Sequence, residues 1–193
     1  MSVDLGPAAE RMSRIVENVG DDQLGAPTPC PKYTVADLLD HIHGLSGAFT
    51  DAAKKENLDK LSSAPPPGDA SHLSDDWRTS IPRRVATLSD AWRDPDAWTG
   101  MTKAGGIEMP GEIAGMVAIN ELIVHGWDLA KATGQPGDAD DDSVAAARGF
   151  VDQFASPEGS GDAFGPAIYL PDDAPAIDRL VGLTGRDPSW SPR

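Results

Sequence analysis

Apolar residues recur with helical spacing in several separate stretches of the chain. Met12, Ile15, Val16 and Val19 predict a first helix over about Gly6–Val19, stopped by Gly20. Residues 20–33, rich in Gly and Pro, read as a loop. Val35, Leu38, Leu39, Ile42, Leu45 and Phe49 then mark the inner face of a second helix that runs to about Glu56. Thr34 suits its N-cap, and Asp37 three residues on approximates a capping box. Ser62–Ser71, SSAPPPGDAS, reads as a Pro-rich loop. Trp77, Ile81, Val85, Leu88 and Trp92 predict a third helix over about Ser74–Arg93, with Pro82 expected to kink it or divide it in two. Gly105-Gly106, central to the stretch from Trp98 to Met109, predicts a short hairpin or loop.

Pro110 before and Gly134 after bound a fourth helix, Gly111–Thr133. Asp140–Asp142, favourable at a helix N-terminus, head a fifth that reaches Phe154. Residues 156–166 form a loop, and a final short helix carries Ile177, Leu180, Val181 and Leu183. The expected fold is all-α: one domain over residues 1–193, with four long helices, a hairpin or loop before the fourth, and small C-terminal helices. An antiparallel bundle is the default packing for helices of these lengths.

The fourth helix departs from the amphipathic pattern of the others. From Ile113 to Ala132 it reads IAGMVAINELIVHGWDLAKA, apolar almost all the way round, which marks a buried helix. Yet Glu121, His125 and Asp128 fall on one stripe about 60° wide. Ionisable groups in such a place are destabilising unless paired. Glu121 and His125, four residues apart, can reach one ion together. A divalent cation is therefore the leading partner, against the simpler reading of a hydrogen-bonded buried pair. Asp128, one turn on, fits three roles: an acceptor that fixes the imidazole tautomer, a general base, or a salt bridge to Lys131 or to an arginine elsewhere. Trp127 points away from the stripe, into core packing. Tyr33 and Trp98 fit two readings: the lining of a pocket mouth or, the favoured one, core or rim packing.

A third ligand has to come from outside this helix. The chain has four histidines. His72 lies in the Pro-rich region and is expected at the surface. His41 and His43 lie on opposite edges of the inner face of the second helix, and periodicity leaves both open.

Composition removes other classes of function. The formal charge of −15 argues against nucleic acid or an anionic membrane as a partner. No apolar run reaches the ~18–20 charge-free residues of a membrane span. The N-terminus lacks the basic and apolar regions of a signal peptide. The lone Cys30, flanked by prolines, reads as structural and suits a reduced, cytoplasmic protein. Phosphate-binding glycine loops, the nucleophile elbow of Ser hydrolases and CxxC motifs are absent from the sequence.

Three segments carry a family resemblance: CPKYTVADLLDHIHG, NELIVHGWDLAKATGQP and FGPAIYLPDDAPAIDRLVGLTGRDPSW. Together they resemble an actinobacterial family of metal-binding proteins related to the N-terminal domain of mycothiol-dependent maleylpyruvate isomerase, within the DinB-like superfamily. The resemblance implies a DinB-like four-helix bundle with the metal near one end. It implies His41, Glu121 and His125 as the metal ligands, with His43 as an extra. Tyr33 stands where that family usually has Trp. The resembled isomerase has a further C-terminal domain that contributes to its active site. With about 60 residues after the fourth helix, this chain is not expected to be a complete isomerase.

Two imidazoles and a carboxylate leave one position open on a zinc-like ion, as in catalytic sites. Nickel, manganese and iron also suit these ligand types. The expected function is thiol S-transfer: a small-molecule thiol, mycothiol, is activated and passed to an electrophile, with Asp128 orienting a group or accepting a proton. Metal-dependent hydrolysis and a non-catalytic metal-binding or interaction module are the alternatives. A homodimer is compatible with the superfamily, and the sequence carries no signal for it.

Overall fold

The computed structural model describes residues 2–59, 66–161 and 164–192. These form α1 (Gly6–Glu17), α2 (Val35–Lys54), α3 (Trp77–Ala91), β1 (Met101–Ala104), β2 (Ile107–Pro110), α4 (Gly111–Thr133), α5 (Asp141–Val151) and α6 (Ala176–Leu183). The mostly helical reading holds, and the hairpin stands where the sequence placed a hairpin or loop. Part of the predicted Pro-rich loop, residues 62–65, lies outside the described residues, as do residues 162 and 163 of the later one.

Local chemistry accounts for most of the boundaries. Thr34 Oγ1 accepts from the Asp37 amide at 3.3 Å, and Asp37 Oδ2 accepts from the Thr34 amide at 2.9 Å, closing the capping box of α2. That carboxylate is held below its ordinary pKa chiefly by the Thr34 hydroxyl, which donates to Oδ2 at 2.6 Å, and further by the Thr34 and Ala70 amides. Gly105 and Gly106 both have positive φ, 59° and 82°, which a two-residue turn between β1 and β2 requires. α4 ends at Gly134, whose φ of 70° is left-handed.

The outcome differs from expectation in α3. It begins at Trp77, not Ser74, and runs as one helix through Pro82. Pro82 lies only five residues from the helix start, so its missing N–H withdraws a bond from the first turn, where packing of Trp77 and Ile81 holds the chain.

α1 and α2 each pack on α3 and on α4, α5 lies against α4, and α6 lies against α5. Met12, Leu38, Leu39, Ile42, Ile81, Leu88, Ile119, Leu122 and Ile123 are fully buried between them. Trp92 and Trp98 meet edge-on over Gly115 of α4, where a Cβ would fall 2.5 Å from the Trp98 ring. α4 is thus enclosed by the other elements, as its apolar circumference requires. Among the described residues no helix is long and apolar enough to cross a membrane.

Candidate metal centre

The packing of α2 on α4 brings His41 to the stripe that carries Glu121 and His125. Glu121 Oε2 lies 3.4 Å from His41 Nε2 and 3.2 Å from His125 Nε2. The two imidazoles meet edge to face, with centroids 4.9 Å apart and planes at 84°. One nitrogen or oxygen from each of the three residues lies within 4.8 Å of the others, a group of donors able to hold a metal ion. The Tyr33 ring stacks on His41 at 5.2 Å. The backbone at Gly68 closes over the same histidine; a Cβ there would meet the Asp37 carbonyl at 2.1 Å and His41 Cβ at 2.9 Å. His41 is thereby confined on two sides.

The other histidines lie elsewhere. His43 is half-buried on the far edge of α2, with its carbonyl 3.4 Å from Arg84 Nη1, and burial pulls its pKa down. His72 is exposed, with Nδ1 4.0 Å from Asp40 Oδ2. Trp127 and Trp98 are core residues.

Asp128 is completely buried and does two things at once. Its Oδ2 lies 3.0 Å from His125 Nδ1. Its two oxygens also accept from Arg186, Nε to Oδ1 at 3.1 Å and Nη2 to Oδ2 at 2.9 Å. A carboxylate only accepts, so the imidazole proton at Nδ1 points to Asp128. In the neutral ring the lone pair then lies on Nε2, toward Glu121. Lys131 takes no part: its ammonium reaches the Pro188 carbonyl at 3.2 Å and lies over the Trp127 ring.

The electrostatics follow from burial among opposite charges. Burial opposes charge on Glu121, yet the two imidazoles hold its carboxyl well below the usual range. Burial also opposes charge on His125, but Glu121 and Asp128 outweigh it and push its pKa up to about 9. For Asp128, burial is outweighed by Arg186 and His125, which keep it ionised. Glu121, Asp128 and Arg186 together leave one net negative charge in the interior. The site therefore calls for a cation, either a proton on His125 or a metal ion.

A cavity of about 480 Å³ opens onto this cluster. Its walls include Cys30, Tyr33, Asn120, Val124, Phe164 and Arg186. Cys30 is buried there, and burial pushes its thiol up, partly offset by Arg186. Sequence reasoning missed Arg186, Asn120 and Phe164 as parts of the site. Arg186 follows a short C-terminal helix, and no spacing links it to α4. Asn120 is visible only as a polar residue in an apolar run.

The profile of the mycothiol maleylpyruvate isomerase N-terminal domain family matches residues 5–130. The chain belongs to this family. Two uncharacterized proteins of Mycobacterium tuberculosis, from two strains, are each 29% identical to it over 186 residues, 93% of either chain. Among solved structures, the mycothiol-dependent maleylpyruvate isomerase superposes with a TM-score of 0.57 at 18% identity, covering 77% of this chain and 65% of that one. A mutant of that isomerase gives 0.57 at 19% identity, covering 81% and 70%. These likenesses establish the fold, and the chain spans about two thirds of the solved isomerase. The family match includes His41, Glu121, His125 and Asp128 and stops before Phe164 and Arg186. In this member of the isomerase N-terminal domain family, the segment beyond the match supplies one wall of the cavity.

Proposed function

We propose that this chain is a DinB-like four-helix-bundle protein that holds a divalent metal ion, zinc by ligand type, at His41, Glu121 and His125 and activates mycothiol for transfer to an electrophile. The observation that carries the reading is the convergence of three donor atoms within 4.8 Å at the floor of a cavity. Two imidazoles and one carboxylate are the donor set of catalytic zinc sites with a position left for a ligand. Membership of the isomerase N-terminal domain family, and the mycothiol dependence named for its solved relative, support the thiol as the small-molecule partner.

When bound, a divalent cation supplies positive charge that favours thiolate over thiol at neutral pH. It also turns the one net negative charge of Glu121, Asp128 and Arg186 into one net positive charge, which suits an anionic ligand in the cavity. The chain's own residues do the rest. Asp128 holds the proton at His125 Nδ1 and keeps Nε2 directed to the cluster. Its burial and its two bonds from Arg186 leave it no approach to a substrate, so it acts as a positioning residue. Tyr33 holds His41 by stacking. Val124 and Phe164 give the cavity an apolar wall that limits water. In the overall transfer the thiol's S–H bond breaks and an S–C bond forms at the electrophile as that carbon's bond to its leaving group, or its π bond, breaks; the proton ends on the leaving group or on the atom that received the π electrons. Nothing is oxidised.

Isothermal titration of zinc-loaded protein with mycothiol tests this reading. Saturable binding at one site, abolished by His125→Ala, is the expected result. Zinc-loaded protein without affinity for mycothiol overturns it.

A further inference from the structure

Residues 66–72 lie across the first turns of α2, and their backbone is held there at three consecutive points. The Gly68 amide donates to the Tyr33 hydroxyl at 3.5 Å, the Asp69 amide to Asp40 Oδ2 at 3.0 Å and the Ala70 amide to Asp37 Oδ1 at 2.8 Å. At Gly68 the chain touches α2 itself. A Cβ there would overlap the Asp37 carbonyl and stand 2.9 Å from His41 Cβ. The φ of Gly68 lies outside the left-handed region, so glycine is needed here for space and not for conformation. The Asp37 carbonyl is the one that the His41 amide meets in the four-residue ladder of α2. Gly68 thus rests on the turn of α2 that presents His41. Tyr33, which receives the Gly68 amide, also stacks on the His41 ring, with the planes at 29°. His125 is oriented from behind by the Asp128 carboxylate. For His41, packing by Gly68 and Tyr33 takes that place.

We propose that residues 66–72 are a strap that holds His41 in its coordinating pose, with Gly68 as the positioning residue, and that the strap sets how tightly the metal ion is held. This rests on the metal reading of His41, Glu121 and His125 above and adds a control on that site. A histidine on a helix has several rotamers open to it, and a side chain that must be ordered on binding lowers affinity. The strap confines the ring before the ion arrives. Residues 66, 67 and 69–72 are exposed, so the strap adds little to the core and is held by its three amide bonds and the seat at Gly68. Segments with few buried contacts and exposed hydrogen bonds open locally at small cost. Lifting the strap therefore loosens His41 while the bundle stays folded. Asp37 is unsuited to the test, because its Oδ2 also closes the capping box of α2.

The test measures zinc affinity by chelator competition in wild type, Gly68→Ala, His41→Ala and the double variant, with circular dichroism as the control for folding. The added Cβ lifts the strap, and Gly68→Ala is expected to bind zinc about threefold to tenfold more weakly, the cost of ordering one freed side chain. In the His41→Ala background, titrated at higher zinc, the same change is expected to have no effect, because the strap acts through that imidazole. A merely structural role would weaken both backgrounds alike. If Gly68→Ala loses helicity, Ala70→Pro replaces it under the same criteria. That change removes the amide given to Asp37, at a position that opens a 3₁₀ turn and follows extended backbone with φ −141° and ψ 120°, both suited to proline. A folded variant with wild-type affinity, or an equal loss in the two backgrounds, overturns the strap while the metal site stands. Wild type that binds no zinc takes down the metal reading, and this inference with it.

Discussion

Asp128 and Arg186 are 58 residues apart in the chain and 2.9 Å apart in space. Their side chains form a buried pair with two bonds, and Asp128 also accepts a hydrogen bond from His125 Nδ1. The C-terminal segment is in this way tied to α4 directly behind the donor cluster. Removing one member of a buried ion pair leaves an uncompensated charge and costs about 3–5 kcal/mol. Arg186→Met is therefore expected to destabilise the protein by about that amount in urea denaturation. The double variant Arg186→Met with Asp128→Asn should lose less than the sum of the two single changes.

Asp128→Asn tests the orientation of His125 separately. An amide at this position can still accept from Nδ1, but it cannot balance Arg186. Metal affinity is expected to fall by roughly tenfold to a hundredfold, the usual effect of losing a carboxylate behind a ligand histidine. Competition with a chromogenic chelator measures this. Wild-type affinity in the folded variant would remove Asp128 from the account.

The pKa of His125 gives a dependence on pH in chelated protein. Its folded value of about 9 lies above the ordinary 6.5. The stability it contributes is therefore fully present below about pH 6.5 and lost as pH rises toward 9. Urea denaturation in excess chelator should show this decline, and His125→Gln should remove it. In zinc-loaded protein the ring is already unprotonated, so the decline over this range should be absent.

Cys30 should behave as an unreactive thiol. It is buried on the cavity wall, and burial raises its pKa. At pH 8 the native protein is expected to react with a disulfide reagent at least roughly tenfold slower than the unfolded chain. Cys30→Ser should leave metal content unchanged.

The elements that the sequence made legible share one property: their signals are local. Thr34 and Asp37 cap α2 within four residues, Gly105-Gly106 sets the hairpin turn, and Pro110 and Gly134 bound α4. Glu121, His125 and Asp128 were legible as a stripe because helix geometry alone aligns them. The start of α3 was misplaced because Ser74–Asp76 have the composition of a helix start but form a turn before Trp77. Between His41 and His43, periodicity gave no decision, since both border the inner face. Packing puts His41 beside Glu121 and His43 beside Arg84, which periodicity does not show. Arg186 and Phe164 reach the cavity through tertiary contacts of a segment whose own pattern contains nothing about α4.

The central claim is that His41, Glu121 and His125 hold one cation together. Elemental analysis of protein purified with zinc present, run beside His41→Ala, Glu121→Gln, His125→Ala and His43→Ala, tests it most directly. The account predicts about one ion per chain in wild type and in His43→Ala, and less than about a tenth of that in the other three. Wild type without metal, or full occupancy in all three ligand variants, would contradict it.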